Sequence, residues 1–435
     1  MNKEQTQKMF TNFSSLIVSQ AIFKIVNLFV MIMIARFLGV DGFGELSYCL
    51  SFVWVFLFLA DFGLTDIFLR DVSRDRGLLH KYINSIVTLK VLLAAANISV
   101  IIILAKLTSL SSDKFWIILI LGSSVIFDSF MYFFRYIFRV NETMQYEGML
   151  MVLESFIKLG IILFITRANL NASGPIFIAI GLLCASFINC LMSLFAFLHN
   201  VKVISFSVDY GLWRNLLKAS SPLILIYILG FLNFRIDIVM LAMMKGDTAA
   251  GWFNAGFKLL EQLFLIPVTL AAVFFPVFSK LSDSIGRIGA LIRRSVLTLV
   301  LISFLFIAAI YFKAGDIIRV VYGAKFDDVS KYLPMLSLLL APFFIKPVFE
   351  RLLFAMRKQF LICKIYLLGI IGNVIMNCVM IPKLGINGAV LSTLFCEAIV
   401  VAWLFVSFKR SHATCIDIGQ GGPSNVDNLI EKESY

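Results

Sequence analysis

Twelve apolar stretches, each long enough to cross a lipid bilayer, divide this chain almost from end to end. They fall at 13–36, 43–67, 82–105, 115–138, 145–166 and 174–198, then at 217–244, 250–278, 291–312, 331–355, 359–382 and 387–408. A helix needs about 20 residues to span the hydrocarbon layer. Twelve spans therefore consume nearly all of the 435 residues and leave no sizeable soluble domain. Composition agrees, since 60% of residues are hydrophobic and 15% charged, against roughly half and a quarter in soluble domains. The expected fold is an all-α integral membrane protein. A cytoplasmic N-terminus (1–12) precedes a six-helix bundle (13–198) and a cytoplasmic linker (199–216). A second six-helix bundle (217–408) and a disordered cytoplasmic tail (409–435) follow.

The net charge of +12 is what the positive-inside rule produces in a membrane protein, so no nucleic-acid partner is expected. Arg70, Arg74, Arg76 and Lys81 follow the second span, Lys202, Arg214 and Lys218 the sixth, and Lys280, Arg287, Arg293 and Arg294 the eighth. The alternate connectors are poorer in such residues, except the ninth, where Asp316, Asp327 and Asp328 accompany Lys313, Arg319, Lys325 and Lys331, and the pattern places both termini in the cytoplasm. The seven cysteines form no C-x-x-C pair, and His80, His199 and His412 stand apart, so no metal site is expected. No P-loop, H-E-x-x-H or G-x-S-x-G signature occurs, which favours a transporter over an enzyme.

The two halves resemble each other. GFGELSYCLSFV at 42–53 aligns with AAGWFNAGFKLL at 249–260, placing Gly44 on Gly251, 207 residues apart. Arg135 falls on Arg351 and Cys184 on Cys396 at similar offsets. Six helices per repeat give both halves the same membrane orientation, related by an axis along the membrane normal.

Ionisable groups inside the spans carry the functional information. The basic set is Lys24, Lys90, Arg135, Lys158, Arg235, Lys258, Lys346 and Arg351. The acidic set is Asp61, Asp66, Asp128, Glu154, Asp237, Glu261, Glu350 and Glu397. A lipid-facing charge at a helix centre costs about 2.5–3.5 kcal/mol, so eight basic ones would cost about 20–28 kcal/mol, more than a folded protein has to spare. They must face a hydrated interior, pair with one another, or snorkel to the surface. Glu154 and Lys158, and Lys346 and Glu350, stand at i,i+4 and Lys258 and Glu261 at i,i+3, spacings that permit local pairing. Arg235 and Asp237 point to nearly opposite sides of one helix. Gln20, Lys24 and Asn27 form one polar stripe, echoed by Lys90 and Asn97 and by Asn373 and Asn377. Such stripes suit either a shared aqueous cavity or polar glue between helices. Arg135 and Arg351 lie near span ends, where snorkelling is the alternative to a cavity role. Pro267, Pro276, Pro334, Pro342 and Pro347 permit bending in the eighth and tenth helices.

Several segments together resemble a known family. They are ARFLGVDGFGELSY at 35–48, DFGLTDIFLR at 61–70, FRIDIVMLAMM at 234–244, AAGWFNAGFKLLE at 249–261 and YGAKF at 322–326. In order and spacing they resemble bacterial Wzx-type polysaccharide flippases of the multidrug/oligosaccharidyl-lipid/polysaccharide (MOP) exporter superfamily, over about residues 10–408. The resemblance implies two six-helix bundles around a central cavity in the bacterial inner membrane. The implied substrate is an undecaprenyl-pyrophosphate-linked oligosaccharide repeat unit, such as that of O-antigen, flipped from the cytoplasmic to the periplasmic leaflet. Partners would be that lipid-linked glycan, membrane lipid, a polysaccharide polymerase and a chain-length regulator. Lys24, Lys90, Arg235, Lys258, Arg135 and Arg351 are the expected cavity residues. Asp61, Asp128, Asp237 and Glu261 are the expected counter-charges or carriers of a coupling H+ or Na+, with no other cofactor. An ion-coupled multidrug exporter of the same superfamily is one alternative. A membrane glycan ligase or polymerase is another, although the longest candidate periplasmic loop, 313–330, is short for one.

Overall fold

The computed structural model describes residues 3–108, 110–168, 174–201, 208–268, 270, 285–356 and 358–420. Helix α1 (Lys3–Asp61) is followed by α2 (Leu64–Arg74), α3 (Leu79–Leu107), α4 (Ser112–Val140), α5 (Met144–Arg167) and α6 (Gly174–Asn200). Then come α7 (Tyr210–Lys245), α8 (Asp247–Leu263), α9 (Ile285–Val321), α10 (Val329–Ser337), α11 (Leu340–Ala355), α12 (Gln359–Leu384) and α13 (Ile386–Gln420). Among the described residues ten stretches are long and apolar enough to cross a membrane. The first, Ser15–Arg74, covers two of the expected spans, and the expected eighth, 250–278, lies partly outside the described residues. Pro276 lies outside them as well. The chain is an all-helical, multi-pass membrane protein.

Local chemistry explains the breaks. Gly39, at φ 71° and ψ −171°, separates two helices within α1, and Gly246, at φ 90°, separates α7 from α8. Both values lie where a Cβ is disfavoured, so glycine supplies the turn. Asp209 starts α7 by accepting the Leu212 N–H at 2.9 Å, an N-cap that satisfies an otherwise orphaned donor. Its carboxyl is held below the ordinary aspartate value by that backbone hydrogen bond, with Lys81 adding to the effect. The expected tenth span is divided into α10 and α11. Pro342 falls in the first turn of α11, where a missing N–H costs least, whereas Pro347 lies inside that helix. Helix α13 runs to Gln420, into the segment expected as a disordered tail; 421–435 lie outside the described residues.

The chain packs as two units. The first holds residues 1–258 with 315–330; in it α4 packs on α6, α1 on α5, and α1 on α7. Its core includes Phe68, Phe133, Phe134 and Phe197, with ring centroids 5.2–6.2 Å apart. These are tilted contacts, as ring quadrupoles favour. Small residues let helices approach: a Cβ at Gly148 on α5 would lie 2.5 Å from Ser19 Oγ on α1. The second unit holds 259–314 and 331–435; in it α13 packs on α12 and α11. Phe349 meets Phe405 and Phe408 there, and Phe264 meets Phe343 at 4.7 Å. These packing units divide the chain elsewhere than the expected six-helix repeat, because α7 and most of α8 pack with the first.

Candidate functional site: a cationic cleft beside a repeat seam

The repeat aligned in the sequence is also a contact. Thr248 Oγ1 donates to Asp41 Oδ1 at 2.5 Å, and Asn254 Nδ2 donates to Ser47 Oγ at 2.6 Å. Each pair is 207 residues apart, the offset of Gly44 and Gly251. Between them a Cβ on Gly44 would sit 1.8 Å from the Asp247 carbonyl oxygen, and one on Gly251 would sit 2.3 Å from the Val40 carbonyl oxygen. Repeat-equivalent positions touching each other is what an axis between two like helices produces. The seam's surroundings are also tied. Lys114 Nζ meets Asp247 Oδ1 at 2.8 Å. Arg36 donates through Nε to Val321 O at 2.8 Å and through a terminal nitrogen to Val320 O at 2.5 Å. Tyr322 donates to Ala255 O at 3.0 Å, and Phe326 packs edge-on against Phe43.

Next to this seam α1, α7 and α8 line a partly open cleft, walled among others by Ser47, Ser51, Trp54, Phe231, Arg235, Asn254 and Lys258. Two expected cavity residues, Arg235 and Lys258, therefore meet. Arg235 is 8% exposed, with its guanidinium 6.0 Å from the Phe231 ring. Asn254 is 4% exposed, and its Oδ1 is buried without a hydrogen-bond partner in the protein. An unmet acceptor in such a place costs about 1–3 kcal/mol. The cleft thus offers two cations, hydroxyls, an amide side chain and aromatic walls. That combination suits an anion attached to a polyhydroxylated body.

Other expected residues form buried ion pairs. Lys90 is fully buried; its Nζ lies 2.5 Å from Asp61 Oδ1 and 2.7 Å from Ser129 Oγ, near the Phe130 and Phe133 rings. Thr65 also hydrogen-bonds Asp61. Arg135, 2% exposed, does not snorkel: it binds Glu154 Oε2 at 2.7 Å and Ser193 Oγ at 2.9 Å. Lys158 reaches the other Glu154 oxygen at 3.5 Å and Asn27 Oδ1 at 3.4 Å. The spacing-based Glu154–Lys158 pair exists, but Arg135 holds Glu154 more closely. Asp128 is half-buried on the same helix as Arg135.

In the second unit the expected Lys346–Glu350 pair gives way to a cross-helix one. Lys346 Nζ lies 3.1 Å and 3.2 Å from the Glu397 oxygens and 4.4 Å from the Tyr366 ring centroid. Glu350 instead accepts from Tyr366. Asn377 donates to Asn373 at 2.8 Å, and Asn373 to Thr393 at 3.1 Å. Lys24 is exposed on α1 and Arg351 exposed on α11, while Asp237 is buried on α7 and Glu261 half-buried on α8. Sequence reasoning did not single out Ser47, Trp54 or Asn254 as cleft residues, although the repeat alignment already placed Ser47 on Asn254. It also missed the bidentate Arg139–Glu147 pair at 2.8 and 2.6 Å. Among the described residues no cluster of metal-ligating side chains occurs.

Several solved structures share this fold. The chain resembles a lipid II flippase MurJ in an inward closed conformation, with TM-score 0.73 and 17% identity, over 92% of this chain and 89% of that one. It resembles an inward-facing multidrug resistance MATE family transporter of the MOP superfamily, with TM-score 0.71 and 14% identity, over 94% and 100%. A Vibrio cholerae MATE transporter, VcmN, follows with TM-score 0.61 and 16% identity, over 94% and 97%. A search of curated protein sequences finds no match. The family described as polysaccharide biosynthesis protein matches residues 9–282, and that described as lipid II flippase MurJ matches 148–421. The chain belongs to the polysaccharide biosynthesis protein family, and its match to the lipid II flippase family agrees with the Wzx-type flippases its motifs resemble.

Proposed function

We propose that the protein flips undecaprenyl-pyrophosphate-linked oligosaccharide repeat units, of O-antigen or a related surface polysaccharide, across the bacterial inner membrane by alternating access. The observation that carries this is the cleft in which Arg235 and Lys258 meet beside Trp54, Phe231 and Asn254. Two cations in a site of low dielectric attract a pyrophosphate far more strongly than they would in water. A groove of hydroxyl, amide and aromatic groups lowers the cost of passing sugars through hydrocarbon. The buried pairs Lys90–Asp61 and Arg135–Glu154 then act as structural counter-charges. Asp128, Asp237 and Glu261 are the remaining candidates for carrying a coupling H+ or Na+. Both termini lie in the cytoplasm in this reading, and a polysaccharide polymerase and chain-length regulator take over the flipped unit.

Deleting the gene tests the function. Lipid-linked repeat units should accumulate on the cytoplasmic side and surface glycan should disappear, with restoration by the parent protein but not by Arg235→Ala. The similarity to MATE transporters supports a second reading, ion-coupled drug export. Unchanged surface glycan with increased sensitivity to cationic dyes would select it. Collapse of the proton or sodium gradient in reconstituted vesicles tests coupling: flipping that persists without either gradient rejects ion coupling.

A further inference from the structure

A line of aromatic rings leads away from the cationic cleft. Trp54 stacks on Phe231 at 6.3 Å and 23°, Phe58 meets Phe231 at 5.8 Å, and Phe58 stacks on Tyr227 at 5.7 Å and 22°. Trp54 and Phe58 are four residues apart on α1, and Tyr227 and Phe231 four apart on α7. The rungs are thus spaced by one turn, about 6 Å. At the far end the Tyr227 hydroxyl donates to Asp66 Oδ2 at 2.7 Å. At the near end lie Arg235, Lys258 and the unmet Asn254 Oδ1.

This is not how the core aromatics of the same unit are arranged. Phe68, Phe133 and Phe197 are shut away from solvent, whereas Trp54 is 43% and Tyr227 38% exposed. Trp54 and Phe231 also wall a cleft that holds two cations. A lipid-facing belt explains the rings alone, but not two cations at one end and a phenol–carboxylate pair at the other. We infer that this ladder, Trp54–Phe231–Phe58–Tyr227, is the saccharide subsite of the flippase. Pyranose rings lay their C–H faces on the aromatic rings, and sugar hydroxyls donate to the Asp66 carboxylate. Apolar ring faces with a carboxylate acceptor at the edge match the chemistry of a sugar, apolar on its face and polar at its rim. Sequence-tolerant stacking of this kind would accept a variety of sugars. The inference rests on the pyrophosphate reading of Arg235 and Lys258, and the test separates the two.

Two probes are compared on the purified full chain in nanodiscs: undecaprenyl pyrophosphate alone, and undecaprenyl pyrophosphate bearing one N-acetylglucosamine. Trp54→Ala should weaken binding of the sugar-bearing lipid tenfold or more and that of the sugar-free lipid by less than twofold, and Trp54→Phe should restore most of the loss. Arg235→Ala should weaken both. Equal effects of Trp54→Ala on the two lipids, or none on either, overturn the ladder. Parent-like binding of both lipids by Arg235→Ala overturns the pyrophosphate reading instead. If Trp54→Ala does not fold, Trp54 fluorescence decides, in a protein whose Trp116, Trp213, Trp252 and Trp403 are changed to Phe. Its emission should move to shorter wavelength with the sugar-bearing lipid only; the same shift with both lipids, or no shift, overturns the proposal.

Discussion

At the scale of single residues, the intramembrane charges divide by what holds them. Lys90 is enclosed by Asp61, Ser129 and two phenylalanine rings. Removing one member of a buried pair leaves an uncompensated charge, at a cost of about 3–5 kcal/mol. Lys90→Ala should therefore lower the melting temperature of the purified protein sharply. Lys90→Met combined with Asp61→Asn should recover much of the loss, and a double change as destabilised as Lys90→Ala would contradict the pairing. Arg235 is also buried, but it lines the cleft. A charged hydrogen bond contributes about 1.5–3 kcal/mol, so Arg235→Ala should reduce flipping in reconstituted vesicles tenfold or more per folded molecule. Arg235→Lys should lie between, since lysine keeps the charge but not the planar fork.

At the scale of elements, the close crossing of α1 and α8 leaves no space for a side chain at Gly44. A methyl group there would overlap the Asp247 carbonyl, a backbone atom that cannot turn aside. Gly44→Ala should force the helices apart and break the Thr248–Asp41 and Asn254–Ser47 bonds. Disulfide trapping between cysteines placed at 41 and 248 should be efficient in the parent background and fall severalfold with Gly44→Ala. Helix α7 illustrates a smaller effect outside the membrane. The Asp209 carboxyl is held below its ordinary value by the Leu212 amide, so its contribution is fully present above the unfolded-state aspartate pKa. It is lost as pH falls through the lower folded-state value. The protection factor of the Leu212 amide, its exchange relative to the unfolded chain at the same pH, should accordingly be higher at neutral pH than in acid. Asp209→Ala should show the low protection at both.

At the scale of the whole molecule, the chain packs as two units, and the segments aligned as a repeat meet within the first. They meet through direct contacts between positions 207 residues apart. Each unit carries its own buried cation–carboxylate pairs, Lys90–Asp61 and Arg135–Glu154 in the first and Lys346–Glu397 in the second. Pairing of this kind lets charged side chains sit at membrane depth without facing lipid. Cysteine labelling from either side of the membrane tests the transport path. Cysteines placed at positions 235 and 258 should react with an aqueous maleimide in inverted vesicles, and one at position 90 should not.

The helical membrane architecture and the family were legible in the chain. They depend on hydrophobic run length and on motif order, both of which are properties of a line. Pairings were legible only where both partners stand on one helix, as with Glu154 and Lys158. Lys346 bonds Glu397 across 51 residues rather than Glu350 across four, and Arg135 takes Glu154 from another helix. Spacing along one helix states which partners are within reach, whereas packing between helices decides which is nearer. The same holds for the cleft. Arg235 and Lys258 were visible as charges out of place, but Trp54, Ser47 and Asn254 joined them only through the crossing of α1, α7 and α8. A charge in an apolar run declares itself because lipid forbids it. A tryptophan or an asparagine in the same run becomes part of a site only when a neighbouring helix supplies the opposite wall.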